Sequence, residues 1–356
     1  MPARIVLFAP NWLGDVVMAL PAMAAVRRHF EGAEMAAAAR ASVAPLLASA
    51  PGVDRVIVID SVTGPRELAA GRFDVAVLFP NSFSSAWLAR RAGIPERWGY
   101  SADARRWLLT RRVARLRGRF HQSEYYCRLI EALGMPVDRR PLEPLVAPPS
   151  ALTAAGALLE RHGWPGRGRA VVLAPGAAYG HAKRWPPARF AALAAALIAR
   201  HGVAAVLVGG PSDRDAALAI AAELDRLGAP RAARDGTGAG WIDLVGETTL
   251  PQLMAVASQA AAFVSNDSGA MHLAAATGVP VTAVFGATDE RATGPMAFGG
   301  RTAAAGGHRV LTAQAFCRPC LLRECPIDHR CMKRIGVEQV LAAVEQSMRA
   351  CTGLGA

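Results

Sequence analysis

Between Ala260 and Phe285 the chain runs from an apolar stretch through a polar turn into an Ala-rich segment and out into a second apolar stretch. Ala260 to Val264 reads as a buried strand, Leu273 to Thr277 as helix, and Val279 to Phe285 as the next strand. The polar residues in between, from Ser265 to His272, therefore stand where a strand ends and a helix begins. That is the carboxyl edge of a parallel sheet, where open α/β sheets bind their ligands. Backbone N–H groups at Ser268 and Gly269, with the positive end of the helix dipole, suit a phosphate. Gly269 lets the backbone approach closely, and His272 falls on the helix's first turn. Asn266, Asp267 and Ser268 are equally the residue types that cap helices, so this turn alone admits both readings.

The other end of the chain carries a similar turn. Arg4 to Ala9 reads as a first strand, Pro10 to Asp15 as the turn, and Val16 to His29 as a helix. Gly14 suits a tight turn, and Asp15 places a carboxylate at the sheet edge. For an isolated Gly-Asp, a helix cap is the simpler reading. Two strand-to-helix turns, one early and one late and both acidic, suggest two sheets facing across a cleft. The rest of the chain keeps the rhythm. Strands are expected near 4–9, 34–39, 55–59 and 73–79, then near 170–174, 203–208, 242–245, 260–265 and 280–285. Helices are expected near 16–30 and 83–92, then near 187–200, 213–227, 250–257 and 269–277. Such alternation means parallel sheets covered by helices on both faces. At 356 residues, 52% of them hydrophobic, the chain can fill two cores. Prolines between Pro141 and Ser150 mark a linker that could extend to Gly168. The expected domains are 1–150 and 151–335, with 336–356 as a closing helix.

No apolar stretch reaches the length of a membrane span, and Asp15 interrupts the N-terminal candidate. The same residue argues against a leader peptide, so the expected location is the cytoplasm. The formal net charge of +12 rests on 38 arginines and only two lysines. Ten arginines fall between Arg90 and Arg119, against two acids, Glu96 and Asp103. A basic tract of this kind fits nucleic acid, anionic lipid or a phosphorylated substrate as well as a plain solvated face. With 6% aromatics and no binding-module signature, nucleic acid is the poorest of these. The rarity of lysine singles out Lys183 as a compact point charge rather than a planar fork. It lies in the loop Pro175–Pro186, which follows the apolar run Ala170 to Ala174 and suits phosphate binding.

Four of the six cysteines, Cys317, Cys320, Cys325 and Cys331, form a C-x2-C-x4-C-x5-C group with His329 inside it. The spacing differs from the paired motif of a zinc ribbon. It leaves a structural metal, packed thiols and disulfides as alternatives.

Taken together, these motifs resemble the ADP-heptose:lipopolysaccharide heptosyltransferases of glycosyltransferase family 9. The resemblance rests on Asn11-Trp12-Leu13-Gly14-Asp15, Pro80 to Ala86, and Ala92 to Pro95 followed by Arg97 to Tyr100. It continues in Pro175-Gly176-Ala177, Ala182 to Pro186, Asn266 to Gly269 with Met271-His272, and the Cys-rich segment. It implies a GT-B architecture: an α/β fold of two Rossmann-like domains with parallel sheets facing across a cleft. The N-terminal domain would hold a heptosyl-Kdo-lipid A acceptor and the C-terminal domain ADP-heptose. Heptose would pass to the first heptose of the lipopolysaccharide inner core with inversion, and no catalytic metal or other cofactor would be needed. Asp15 matches the family's base. Lys183, Thr248, Asp267, Ser268, Gly269 and His272 would bind the donor; Asn81, Ser82, Arg105 and Arg106 would contact the acceptor. The basic tract would meet the phosphates of the acceptor and the inner face of the cytoplasmic membrane, which the protein would touch peripherally. A sister enzyme adding another heptose, or a non-catalytic nucleotide-sugar-binding protein, would share most of these features.

Overall fold

Short apolar runs flanked by turn residues become strands here because both faces of each sheet are covered. A computed structural model of the chain describes residues 2–164, 166, 169–233, 239–299 and 307–352. The chain divides into two units, Met1–Arg140 and Pro141–Ala356. The first holds β1 (Arg4–Phe8), β2 (Glu34–Ala39), β3 (Arg55–Val58), β4 (Val75–Leu78), β5 (Glu96–Tyr100) and β6 (Arg111–Val113). The second holds β7 (Ala170–Ala174), β8 (Ala204–Leu207), β9 (Gly240–Asp243), β10 (Ala262–Asn266), β11 (Val281–Phe285) and β12 (Arg309–Thr312).

The sheet orders are β3-β2-β1-β4-β5-β6 and β12-β11-β10-β7-β8-β9. Every pairing in both sheets is parallel. The direction of winding reverses between β1 and β4 in the first sheet and between β7 and β10 in the second. At such a reversal the loops leaving adjacent strands diverge and open a crevice at the carboxyl edge. The turns singled out from the sequence follow β1, β4, β7 and β10, the four strands that border these two reversals.

All nine expected strands form, with ends shifted by a residue or two. Three more, β5, β6 and β12, lie where no strand was expected. Their sequences, Glu-Arg-Trp-Gly-Tyr, Arg-Arg-Val and Arg-Val-Leu-Thr, are too polar to show a buried run. β6 and β12 are edge strands, which tolerate charged side chains. The expectation that the linker could extend to Gly168 is corrected, because Pro149–Arg161 is a helix. Proline is at home in a helix's first turn, so the prolines that look like a break in fact begin this one. Its buried face, Ala151, Ala155, Leu158 and Leu159, belongs to the second unit, where the helix packs against Leu250–Gln259.

Trp185 and Phe190 anchor the second core, edge to face with centroids 5.1 Å apart. The closing helix, Val337–Thr352, packs on the helix Pro187–His201 and on β10 and β11, and so belongs to the same unit. Among the described residues no helix is long and apolar enough to cross a membrane.

His308, the residue just before β12, ties β11 to Met296. Its Nδ1 accepts from the Val281 N–H at 3.2 Å, and its Nε2–H donates to the Met296 carbonyl at 2.9 Å. Burial pushes its pKa from 6.5 down to about 4. Between those values the unfolded chain takes up a proton that the folded chain refuses, so stability falls as pH drops through that window. Urea unfolding at a series of pH values from 7 to 4 should show a loss of up to about 3 kcal/mol from this group. In His308→Gln that part of the slope should vanish.

Candidate functional site

In the first unit, β1 and β4 deliver Asp15 and the Asn81–Ser82 turn to neighbouring positions on the sheet edge. Asp15 stands in the first turn of the helix Leu13–His29. Two adjacent tyrosines on the helix Gln122–Ala132 link the two turns. The Tyr126 hydroxyl donates to Asp15 Oδ1 at 3.4 Å, and the Tyr125 hydroxyl accepts from Asn81 Nδ2 at 2.9 Å. Burial, and then the nearby Asp15 carboxylate, raise the Tyr126 pKa well above the ordinary phenol value. Tyr126 therefore keeps its proton and serves as a donor.

Ser82 caps the helix Phe83–Arg91, accepting from the Ser85 N–H at 3.4 Å. Behind this turn Arg105 is completely buried. Its guanidinium donates to the Tyr100 carbonyl at 3.0 Å, the Ser82 carbonyl at 3.3 Å, Ser85 Oγ at 3.2 Å and the Pro80 carbonyl. Burial pushes its pKa down to about 10, so it stays charged at neutral pH. Through Nε and Nη1 Arg105 thus binds the protein itself and shapes the Asn81–Ser82 turn from within, so the expected direct contact of Arg105 with an acceptor is corrected to a supporting role behind that turn. Arg106, next in sequence, is exposed.

In the second unit three loops converge at the reversal. Asp267 follows β10 with its side chain 5% exposed, and Lys183, from the loop after β7, reaches it with Nζ 2.6 Å from Oδ2 and a side chain 13% exposed. Thr288, from the loop after β11, donates its hydroxyl to the same oxygen at 2.6 Å. The Lys183 ammonium also lies 4.8 Å from the centre of the Tyr179 ring. Lysine has three N–H donors, and Asp267 occupies one.

Beside this pair, Ser268 caps the helix Gly269–Ala276, accepting from the Met271 N–H at 3.4 Å. First-turn N–H groups such as that of Gly269 have no acceptor within their own helix. His272 is buried on this first turn. Thr248 is half-buried in the loop after β9, just before the helix Leu250–Gln259. Lys183, Asp267, Ser268 and Gly269 come together at the start of this helix, with His272 buried on its first turn, while Thr248 stands at the edge-strand side of the sheet.

Asn266, fully buried, takes no part in capping. Its Oδ1 accepts from the Trp185 N–H at 2.9 Å and its Nδ2 donates to the Pro175 carbonyl at 2.7 Å, so it closes both ends of the Lys183 loop. Asp213 holds the same loop from the side. A side chain at Gly176 would collide with its carboxylate, and that carboxylate pairs with Arg184 at 3.6 Å. Arg318, in the Cys-rich segment, donates to the Gly286 carbonyl at 2.7 Å and the Thr288 carbonyl at 3.2 Å, and pairs with Glu290 at 2.6 Å. It thereby fixes the loop that presents Thr288.

Sequence reading passed over Thr288, Asn266 as a staple, Arg318 and Tyr126. Only Thr288 left a usable signal, since it lies just beyond the strand next to β10. No disulfide joins Cys317, Cys320, Cys325 or Cys331, and burial raises the pKa of Cys331. Among the described residues no group of three or more His, Cys, Asp or Glu side chains is arranged to hold a metal ion. The Cys351 side chain lies outside the described residues.

The two all-parallel sheets, with polar residues gathered where each reverses its winding, define an α/β protein of two Rossmann-like units. Residues 65–328 match glycosyltransferase family 9 (heptosyltransferase), and the chain belongs to that family. It is therefore an enzyme, a glycosyltransferase. It is 30% identical over 308 residues to lipopolysaccharide heptosyltransferase 2 of Escherichia coli (strain K12), covering 82% of this chain and 85% of that protein. The solved structure of E. coli ADP-heptose lps heptosyltransferase II superposes with a TM-score of 0.77 at 26% identity, over 98% of this chain and 99% of that one. A family 9 glycosyl transferase from Veillonella parvula shares the fold, with a TM-score of 0.80 at 21% identity over 98% and 97%.

Asn266→Ala should leave the Trp185 N–H and the Pro175 carbonyl buried and unpaired. We expect a loss of about 2–4 kcal/mol, read as a lower denaturant midpoint with unchanged slope.

Proposed function

We propose that this enzyme transfers a heptose from ADP-heptose to the lipopolysaccharide inner core, and that its acceptor is the first heptose already in place. The reading rests above all on membership of the heptosyltransferase family over residues 65–328. The choice of acceptor follows the 30% identity to lipopolysaccharide heptosyltransferase 2 of E. coli.

In this reading Asp15 takes the proton from the acceptor hydroxyl as that oxygen attacks the anomeric carbon. The bond from that carbon to the β-phosphate oxygen breaks on the opposite face, which inverts the centre, and ADP leaves with the bonding pair. Charge grows on the departing diphosphate. Lys183, with two donors beyond the one given to Asp267, and the N–H groups of Ser268 and Gly269 meet it. Donors fixed in place before the reaction lower the barrier most effectively. Asp267 repels phosphate by its charge, so its contribution is to aim the lysine and to accept from sugar hydroxyls. His272 lies close enough in sequence to border the diphosphate or the sugar, and Thr248 lies on the adenine side. Asn81, Ser82 and Arg106 are the acceptor contacts, with Arg105 supporting their turn. No catalytic metal enters this scheme. The lipid-linked acceptor would bring the enzyme to the inner face of the cytoplasmic membrane.

A parallel assay with acceptors bearing no heptose and one heptose tests the assignment. Transfer to the one-heptose acceptor alone is expected, whereas transfer to the heptose-free acceptor would make this the enzyme of the preceding step. Asp15→Asn should bind ADP-heptose as the wild type does while kcat falls by about 10²–10⁴. Wild-type turnover in that variant would sink the mechanism. Lys183→Met should lower kcat by about 10²–10³.

A further inference from the structure

The N-terminal unit carries an exposed aromatic cluster outside the residues given a catalytic or binding role above. Phe83 and Trp87 lie one turn apart on the helix Phe83–Arg91, and Trp107 lies on the short turn Arg106–Leu108. Their exposures are 42, 42 and 55%. The Phe83 and Trp87 rings are stacked with centroids 6.2 Å apart, and Trp107 lies 6.0 Å from the first and 6.3 Å from the second. Three large rings that touch one another and still face water form a contiguous apolar patch, which soluble chains seldom keep without a use.

Its rim is cationic. The Arg90 guanidinium lies 5.5 Å from the centre of the Trp107 ring, and Arg90, Arg91 and Arg106 are all exposed. Of the two acids in this tract, Glu96 accepts from the Trp98 indole N–H and from the Thr110 hydroxyl. Arg90 thus sets a guanidinium directly against the patch. Buried Arg105 holds both halves of the patch in register, because it precedes Trp107 in the chain and its guanidinium binds Ser82 and Ser85 at the start of the Trp87 helix.

Indole rings favour the bilayer interface, where the ring body enters the acyl boundary and the N–H stays hydrated. Arginines around them complement anionic headgroups. Apolar contact and positive charge together fit a lipid surface, since either alone binds it only weakly and reversibly.

We propose that Phe83, Trp87 and Trp107, ringed by Arg90, Arg91 and Arg106, dock the N-terminal unit on an anionic phospholipid bilayer. The patch begins one residue beyond the Asn81–Ser82 turn. Its usefulness to a lipid-linked acceptor rests on the proposed function, but its binding to lipid does not.

The test is flotation of the full chain with vesicles of phosphatidylethanolamine and phosphatidylglycerol, against vesicles of phosphatidylcholine alone. The wild type should float with the anionic vesicles, with blue-shifted tryptophan emission, and partition less as salt rises. The double variant Trp87→Ser, Trp107→Ser should lose at least about tenfold in partitioning with an unchanged thermal melt. Should it fail to fold, Arg90→Gln with Arg91→Gln supplies the second reading, expected as a loss of the preference for anionic vesicles. Absence of wild-type flotation, or equal flotation of a folded variant, overturns the proposal. So does wild-type self-association that the tryptophan substitutions abolish without any lipid binding. Transfer to a deacylated, water-soluble acceptor should be equal in wild type and double variant, while transfer to a vesicle-embedded acceptor falls only in the variant. Failure of the wild type on the soluble acceptor would count against the proposed reaction, and the flotation result would still decide docking.

Discussion

One carboxylate organises the second unit. Asp267 leaves the end of β10 with almost no access to water, and it receives Lys183 from the loop after β7 and Thr288 from the loop after β11. A buried carboxylate without partners would be very costly. With an ammonium and a hydroxyl on one oxygen, it instead locks three loops at the point where the sheet reverses. The neighbouring Asn266 does the same for backbone groups, closing the Lys183 loop at Pro175 and at Trp185. The lysine is thus held at a helix N-terminus by side chains up to 84 residues away.

The first unit solves the equivalent problem with different chemistry. Its reversal lies between β1 and β4, and the turns that follow those strands are joined by a tyrosine pair. A hydroxyl donor leaves the Asp15 carboxylate its negative charge, which suits a residue proposed to accept a proton. Arg105 contributes from behind. A guanidinium presents five donors in a planar fork, so a single buried arginine can support the turn on one side and the aromatic patch on the other. Its burial also shows why arginine content alone is a poor guide to a binding surface.

Much of this architecture was legible from residue patterns. Nine strands and six of the helices between them follow from short apolar runs alternating with helical periodicity, because hydrophobic burial acts residue by residue and leaves its period in the sequence, whereas the helix Gln122–Ala132 with its two tyrosines was not expected. The polar turns at Asp15 and at 266–269 were legible for the same reason, as breaks in that period. The strands β5, β6 and β12 were not, since charged positions in and near the sheet edges erase the pattern. Pro149–Arg161 was hidden because proline has two opposite meanings, a stop within a helix and a start at its first turn.

The sequence by itself determined the fold class, the alternation of strands and helices along most of the chain, and which short segments carry the polar chemistry. Those properties depend on neighbours within a few positions. Only the tertiary structure decided which of those polar residues act together. Asn266, Asp267 and Ser268 look interchangeable as capping residues, yet one is a staple, one an ion-pair partner and one the cap. Arg105 and Arg106 are adjacent and chemically identical, yet one is buried as a support and the other is exposed. These differences arise from partners tens of residues away, brought close by the winding of each sheet, and no local pattern records them.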